Sequence, residues 1–160
     1  MSASTFVYVT YIRVTPERLW HALTTPEIIK QYRFGMRVES EWNVGSTWRM
    51  YADGSLMDSG EILESVSPKR LVMSWLSEWK PEFRAEGDSR CVYEIEPTGG
   101  SAKLTLTHSM ERPDSKFIRA KLPGGDRLKG TGVLRPGARQ LTLKMMTARG
   151  RVARSLSAIR

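Results

Sequence analysis

The chain has 160 residues, 40% of them hydrophobic and 26% charged, with a formal net charge of +8. A chain of this size buries roughly two-thirds of its unfolded surface, enough for one domain, 1–160, around one core. No run approaches a membrane span, no repeat of solenoid length or low-complexity tract occurs, and the start lacks the pattern of a secretory signal. The lone Cys91 excludes an internal disulfide and suits a reducing, cytoplasmic setting.

In chain order, residues 5–14 (TFVYVTYIRV) are dense in β-branched and aromatic side chains and predict a strand. The triplet Thr15-Pro16-Glu17 follows, and Thr25-Pro26-Glu27 repeats it. A Thr hydroxyl suits the N-cap, Pro suits the first helical position, and Glu suits the positive end of the helix dipole. Two short helices are therefore expected, over 16–23 and 26–31. Broken this way they form a bent lid that can leave a hollow above a sheet, or simply a pair of packing helices.

Turn residues and alternating runs recur after the helices. Val44-Gly45-Ser46 precedes the run 47–51, Asp53-Gly54 precedes 55–66, and Ser67-Pro68-Lys69-Arg70 leads into 71–77. The polar segment 80–88 (KPEFRAEGD) reads as a loop, and 90–96 and 102–110 flank Gly99-Gly100. Counting patterns gives one strand, two helices and then about six strands. The fold class is α+β, with helices segregated from an antiparallel sheet.

Alternation sorts the faces. Cys91, Tyr93 and Ile95 share one face, as do Leu104, Leu106, His108 and Met110; charged neighbours mark the opposite faces as wet. The inner surface is expected to carry Trp48, Met50, Met73, Trp75, Tyr93, Leu104, Leu106 and His108. This set fits an apolar ligand pocket with few polar handles, and equally a filled core. Cys91 is expected to be a small buried apolar residue. Arg49 and Tyr51 have the opposite parity and belong on the outer face.

The pattern Thr-Pro-Glu-x-Leu-Trp-x-Ala-Leu-Thr-x-Pro-Glu over 15–27 resembles the SRPBCC superfamily, which includes START-type and birch-pollen-allergen-type proteins. Within it the chain is similar to the branch typified by the C-terminal domain of the heat-shock protein 90 ATPase activator. Gly45-Ser46-x-Trp48-Arg49-Met50, Gly60-Glu61-Ile62-Leu63-Glu64, Pro68-x-Arg70-Leu71-Val72, Arg90-Cys91-x-Tyr93-Glu94-Ile95-Glu96-Pro97 and Leu104-Thr105-Leu106-Thr107-His108 carry the likeness, which spans about 5–120. The resemblance implies a helix-grip fold: a curved antiparallel sheet around a long C-terminal helix, with a cavity between them and the two short helices.

The end of the chain departs from that pattern. Residues 1–120 hold fifteen bases and sixteen acids, whereas 121–160 hold ten bases and the single acid Asp126. So sharp a break, with Arg and Gly enrichment, reads as a divergent or frame-shifted terminus ahead of a selected basic module. Leu141, Met145, Ala148, Val152, Leu156 and Ile159 recur at helical spacing, so 137–159 is the expected closing helix, its arginines in solvent. The segment has no Phe, Tyr or Trp to stack on bases, which argues against a specific nucleic-acid partner.

The chemistry is sparse. Two His and one Cys, far apart and without ligand spacing, support no metal site, and no phosphate loop or nucleophile elbow occurs, so no cofactor and no catalytic residue are assigned. His21 is expected to be exposed and Glu61 solvated, with Glu111 the other available carboxylate. His108 could bond a ligand or act as a base, or be a satisfied core histidine. The preferred reading is a non-enzymatic carrier or sensor of a small apolar molecule or lipid. The resemblance also implies a chaperone-contacting protein, and in distant relatives a cyclase or hydrolase.

Overall fold

The computed structural model describes residues 3–33 and 35–121. Strand β1 (Ser4–Ile12) leads into helices α1 (Pro16–Thr24) and α2 (Pro26–Tyr32). Strands β2 (Arg37–Ser40), β3 (Thr47–Ala52), β4 (Ser55–Val66) and β5 (Arg70–Ser77) follow. A short helix α3 (Pro81–Arg84), strands β6 (Ser89–Thr98) and β7 (Ser101–Met110), and helix α4 (Lys116–Arg119) complete the described chain. All strand pairs are antiparallel in one seven-stranded sheet of order β1-β7-β6-β5-β4-β3-β2.

The order follows from local chemistry. Strands β2 to β7 form a meander; at the β3–β4 and β6–β7 hairpins Asp53-Gly54 (φ 48° and 79°) and Gly99-Gly100 (φ 47° and 80°) supply the two positive φ values such tight turns require. Strand β1 pairs with β7, so the α1–α2 segment carries the chain from one edge of the sheet to the other. On the way α1 packs on β6 and β7, and α2 on β2.

The lid is broken where the doubled triplet places the break. Thr25 ends α1 and begins α2 in an extended conformation, φ −108° and ψ 113°, as expected of a residue before proline. Thr15 caps α1 by accepting from the Arg18 amide. The Thr25 hydroxyl, by contrast, makes no cap bond; it faces Nδ1 of the exposed His21 at 3.2 Å. The polar segment 80–88, expected to be a loop, contains α3. Pro81 stands at its first turn and Phe83 is buried, a reason for ordering that the surrounding charges hide.

Two register shifts bend the sheet. One lies in the β3–β4 ladder between Met50 and Tyr51, the other in the β4–β5 ladder between Ile62 and Glu64. An extra residue on one strand bends that strand and increases its twist. The first shift also breaks parity, so Met57 and Asp58 are both buried. The concave face then meets α1 and α2 through one apolar cluster that includes Leu19, Leu23, Ile29, Trp48, Trp75 and Leu106. The closing helix expected over 137–159 lies outside the described residues.

Candidate functional site

Beneath the two short helices lies a cavity of about 30 Å³. Its roof is Leu23, Ile29 and Tyr32, and its floor is Trp48, Met50, Leu71, Met73, Trp75 and Tyr93. Val38, Trp42 and Arg33 close its sides. Strand parity aims the floor residues at one space: Trp48 and Met50 from β3, Leu71, Met73 and Trp75 from β5, Tyr93 from β6.

Five of the eight expected lining residues, Trp48, Met50, Met73, Trp75 and Tyr93, thus meet at the cavity. Leu104, Leu106 and His108 are buried on β7 but are not part of its wall. The reason is geometric: β7 lies two strands from β5 in the sheet order, and there α1 packs directly onto it. Cys91 is buried, with burial pushing its thiol up to about 11. Arg49 and Glu61 are exposed, and Tyr51 is half-buried beneath the Arg37 guanidinium, 4.5 Å from its ring centre.

Trp48 sits in the floor because the β4–β5 ladder is opened beside it. Its Nε1–H donates to the Ser74 carbonyl (3.0 Å), while the Ser74 hydroxyl accepts from the Glu61 amide (2.9 Å). The ring packs on Trp75 with centroids 4.5 Å apart. Trp75 in turn donates its Nε1–H to Asp58 Oδ1 at 3.0 Å.

His108 is held in the core. Its Nε2 lies 2.6 Å from the Ser89 hydroxyl, and its ring is packed by Trp75 and Phe117 at 5.4 and 5.2 Å. Ser89 has a single proton, and it donates that proton to the Trp75 carbonyl (2.9 Å). His108 Nε2 is therefore the donor to Ser89, the reverse of what activates a serine nucleophile. Burial, reinforced by the charges of Lys121 and Arg33, keeps the imidazole well below its usual range and hence neutral.

Nothing in the hydrophobic patterning of the sequence marks Arg33, Trp42, Asp58 or Lys121. Arg33 is half-buried at the end of α2; its guanidinium donates to the Tyr93 hydroxyl (3.2 Å) and the Met50 sulfur (3.5 Å) and lies 5.7 Å from the Trp75 ring centre. Burial raises the Tyr93 hydroxyl far above its usual range and the Tyr32 hydroxyl to about 12, so both are neutral beside this charge. Asp58 is buried and its Oδ2 has no hydrogen-bond partner among the described residues; burial raises its carboxyl, opposed by Lys121 and by the Trp75 N–H. Lys121 lies over Phe117 and Trp75, at 4.4 and 5.4 Å, with burial lowering its ammonium. No group of three His, Cys, Asp or Glu among the described residues is placed to hold a metal ion. None of their helices is long and apolar enough to cross a membrane.

A curved seven-stranded antiparallel sheet with short helices packed over an aromatic hollow is an α+β arrangement consistent with the helix-grip class. The family model described as "Activator of Hsp90 ATPase homolog 1-like protein" matches residues 13–124, and the chain belongs to that family. A protein from Mesorhizobium loti is similar in structure, at 22% identity over 98% of each chain with a TM-score of 0.65. An HSP90 activator from Plasmodium falciparum is 21% identical over 90% of this chain and 91% of its own, with a TM-score of 0.63. The Aha1 dimer from Colwellia psychrerythraea is 17% identical over 71% of this chain and 81% of its own, with a TM-score of 0.58. At these identities the likeness carries the fold. No curated protein matches the sequence.

Proposed function

We propose that the chain binds a small, mostly apolar molecule between α1–α2 and the concave face of the sheet, and carries or senses it without covalent change. The observation that supports this most is the floor itself: Trp48, Trp75, Tyr93, Met50 and Met73 converge on one cavity with a single cation at its side. Apolar walls with few polar groups are the usual composition of ligand sites. The cavity measures about 30 Å³, whereas an apolar cavity that admits benzene measures about 150 Å³. A ligand must therefore displace part of the wall. Met50 and Met73, unbranched and with three rotatable bonds each, are the residues that can yield.

The test is a titration of the full chain with neutral naphthalene followed by Trp fluorescence, repeated on Val38→Phe. Saturable quenching that weakens at least about tenfold in a folded Val38→Phe supports the reading. Unchanged binding in that variant places the probe elsewhere and rejects it.

Family membership favours a second reading, contact with a chaperone. An apolar surface available for it among the described residues is the stripe Val7, Val9 and Tyr11, exposed by 57%, 44% and 60% on the edge strand β1. Capture of purified HSP90 that is lost in Val7→Lys, Val9→Lys would favour it over the first.

A further inference from the structure

The polar groups facing the cavity are unbalanced. Arg33 offers five N–H donors, and the acceptors it meets among the described residues are all neutral: the Tyr93 hydroxyl, the Met50 thioether and the Tyr32 hydroxyl. Among the described residues no carboxylate lies within ion-pairing distance of it. Asp58 attracts it from farther away, but Asp58 does not line the cavity, bonds Trp75, and also faces Lys121. A second donor in the wall is buried at Trp42 Nε1, which has no hydrogen-bond partner among the described residues. The Tyr32 hydroxyl donates its proton to the Ala22 carbonyl at 3.1 Å and offers Arg33 only an uncharged oxygen. Among the described residues the wall thus presents a guanidinium without an anionic partner and an indole N–H without an acceptor, between aromatic rings.

Resting on the ligand-binding reading above, we propose that the natural ligand is an aromatic or similarly flat apolar acid, with its anionic group on Arg33 and its ring against Trp48 and Trp75. A guanidinium matches a carboxylate in charge and in planar, two-pronged geometry. Desolvation by the surrounding rings strengthens that pairing relative to water. The Trp42 N–H supplies an additional donor to an acceptor-rich ligand.

The test compares 2-naphthoate with neutral 2-naphthamide, near-isosteric probes, by calorimetry on the wild-type chain, Arg33→Gln and Arg33→Lys. The wild type is expected to bind the acid at least about tenfold more tightly than the amide. Arg33→Gln should lose that preference while keeping its affinity for the amide, and Arg33→Lys, which keeps the charge, should retain part of it. Equal wild-type affinities for both probes, or a preference that survives in Arg33→Gln, overturn the proposal and leave the ligand-binding reading standing. Binding of neither probe overturns both. The wild-type comparison decides even where a variant does not fold.

Discussion

Trp48 crosses over Gly60, its partner on the neighbouring strand, to bond the Ser74 carbonyl one strand farther on. A Cβ at position 60 would lie 2.0 Å from that carbonyl oxygen and 2.7 Å from the indole nitrogen. The missing side chain is what lets the indole reach across β4 to Ser74. Gly60→Ala is accordingly expected to cost about 2–3 kcal/mol, the upper range for an overpacked site, read as a lower urea midpoint. Trp48→Phe removes the donor and leaves the Ser74 carbonyl short of a partner, a loss of about 1–3 kcal/mol. An unchanged midpoint in either variant would contradict this picture of the floor.

Glu86 ties the loop after α3 to the start of α4. It accepts from the Ser115 hydroxyl (2.6 Å) and the amides of Lys116 (2.8 Å) and Phe117 (3.3 Å). Burial works against its charge, but these three donors outweigh it and hold the carboxyl below its usual range. Ser115 also caps α4 by accepting from the Ile118 amide. Ser115→Ala should cost about 0.5–2 kcal/mol by chemical denaturation. In the wild type the contribution of Glu86 is present above about pH 4.3 and is lost on further acidification.

His108 makes stability depend on pH in a different window. The unfolded imidazole takes up a proton near pH 6.5 that the folded one refuses, so stability falls as the pH drops below about 6.5. His108→Gln keeps an N–H for Ser89 and removes this proton uptake. Between pH 7.5 and 5 its urea midpoint should fall less than that of the wild type, and parallel declines would contradict the assignment.

Asp58 behaves with the opposite sign. Its carboxyl is raised by burial, so the folded chain holds that proton more firmly; the associated stability is full below about pH 3.9 and is lost as the pH rises through the folded value. Asp58→Asn retains an oxygen for the Trp75 N–H and removes the buried charge. It is expected to match the wild type near pH 3.5 and to gain on it toward pH 7, as followed by thermal unfolding.

The hairpins were legible in the sequence because their turn chemistry is local: Asp53-Gly54 and Gly99-Gly100 need no tertiary contact to announce positive φ. Strand parity likewise located Trp48, Met50, Met73, Trp75 and Tyr93 on one face. Of the six strands after the helices, β2 was not delineated, since RVES offers one buried residue, Val38. Helix α3 could have been read from Pro81-Glu82, the same Pro-Glu start that marks α1 and α2. Asp58 was hidden by the shift that buries it beside Met57. Arg33 reads in sequence as an ordinary cation near a helix end; only the seating of α2 against β2 brings it to Tyr93 and Trp75.

Ligand binding beneath the helices requires Met50 and Met73 to yield. Methyl NMR of chain labelled at the methionine methyl groups, titrated with 2-naphthoate, tests it most directly. The Met50 and Met73 resonances should shift together and saturably, while Met57 and Met110, buried but outside the cavity wall, stay in place. Shifts confined to Met57 or Met110, or no shift at saturating probe, would contradict the account.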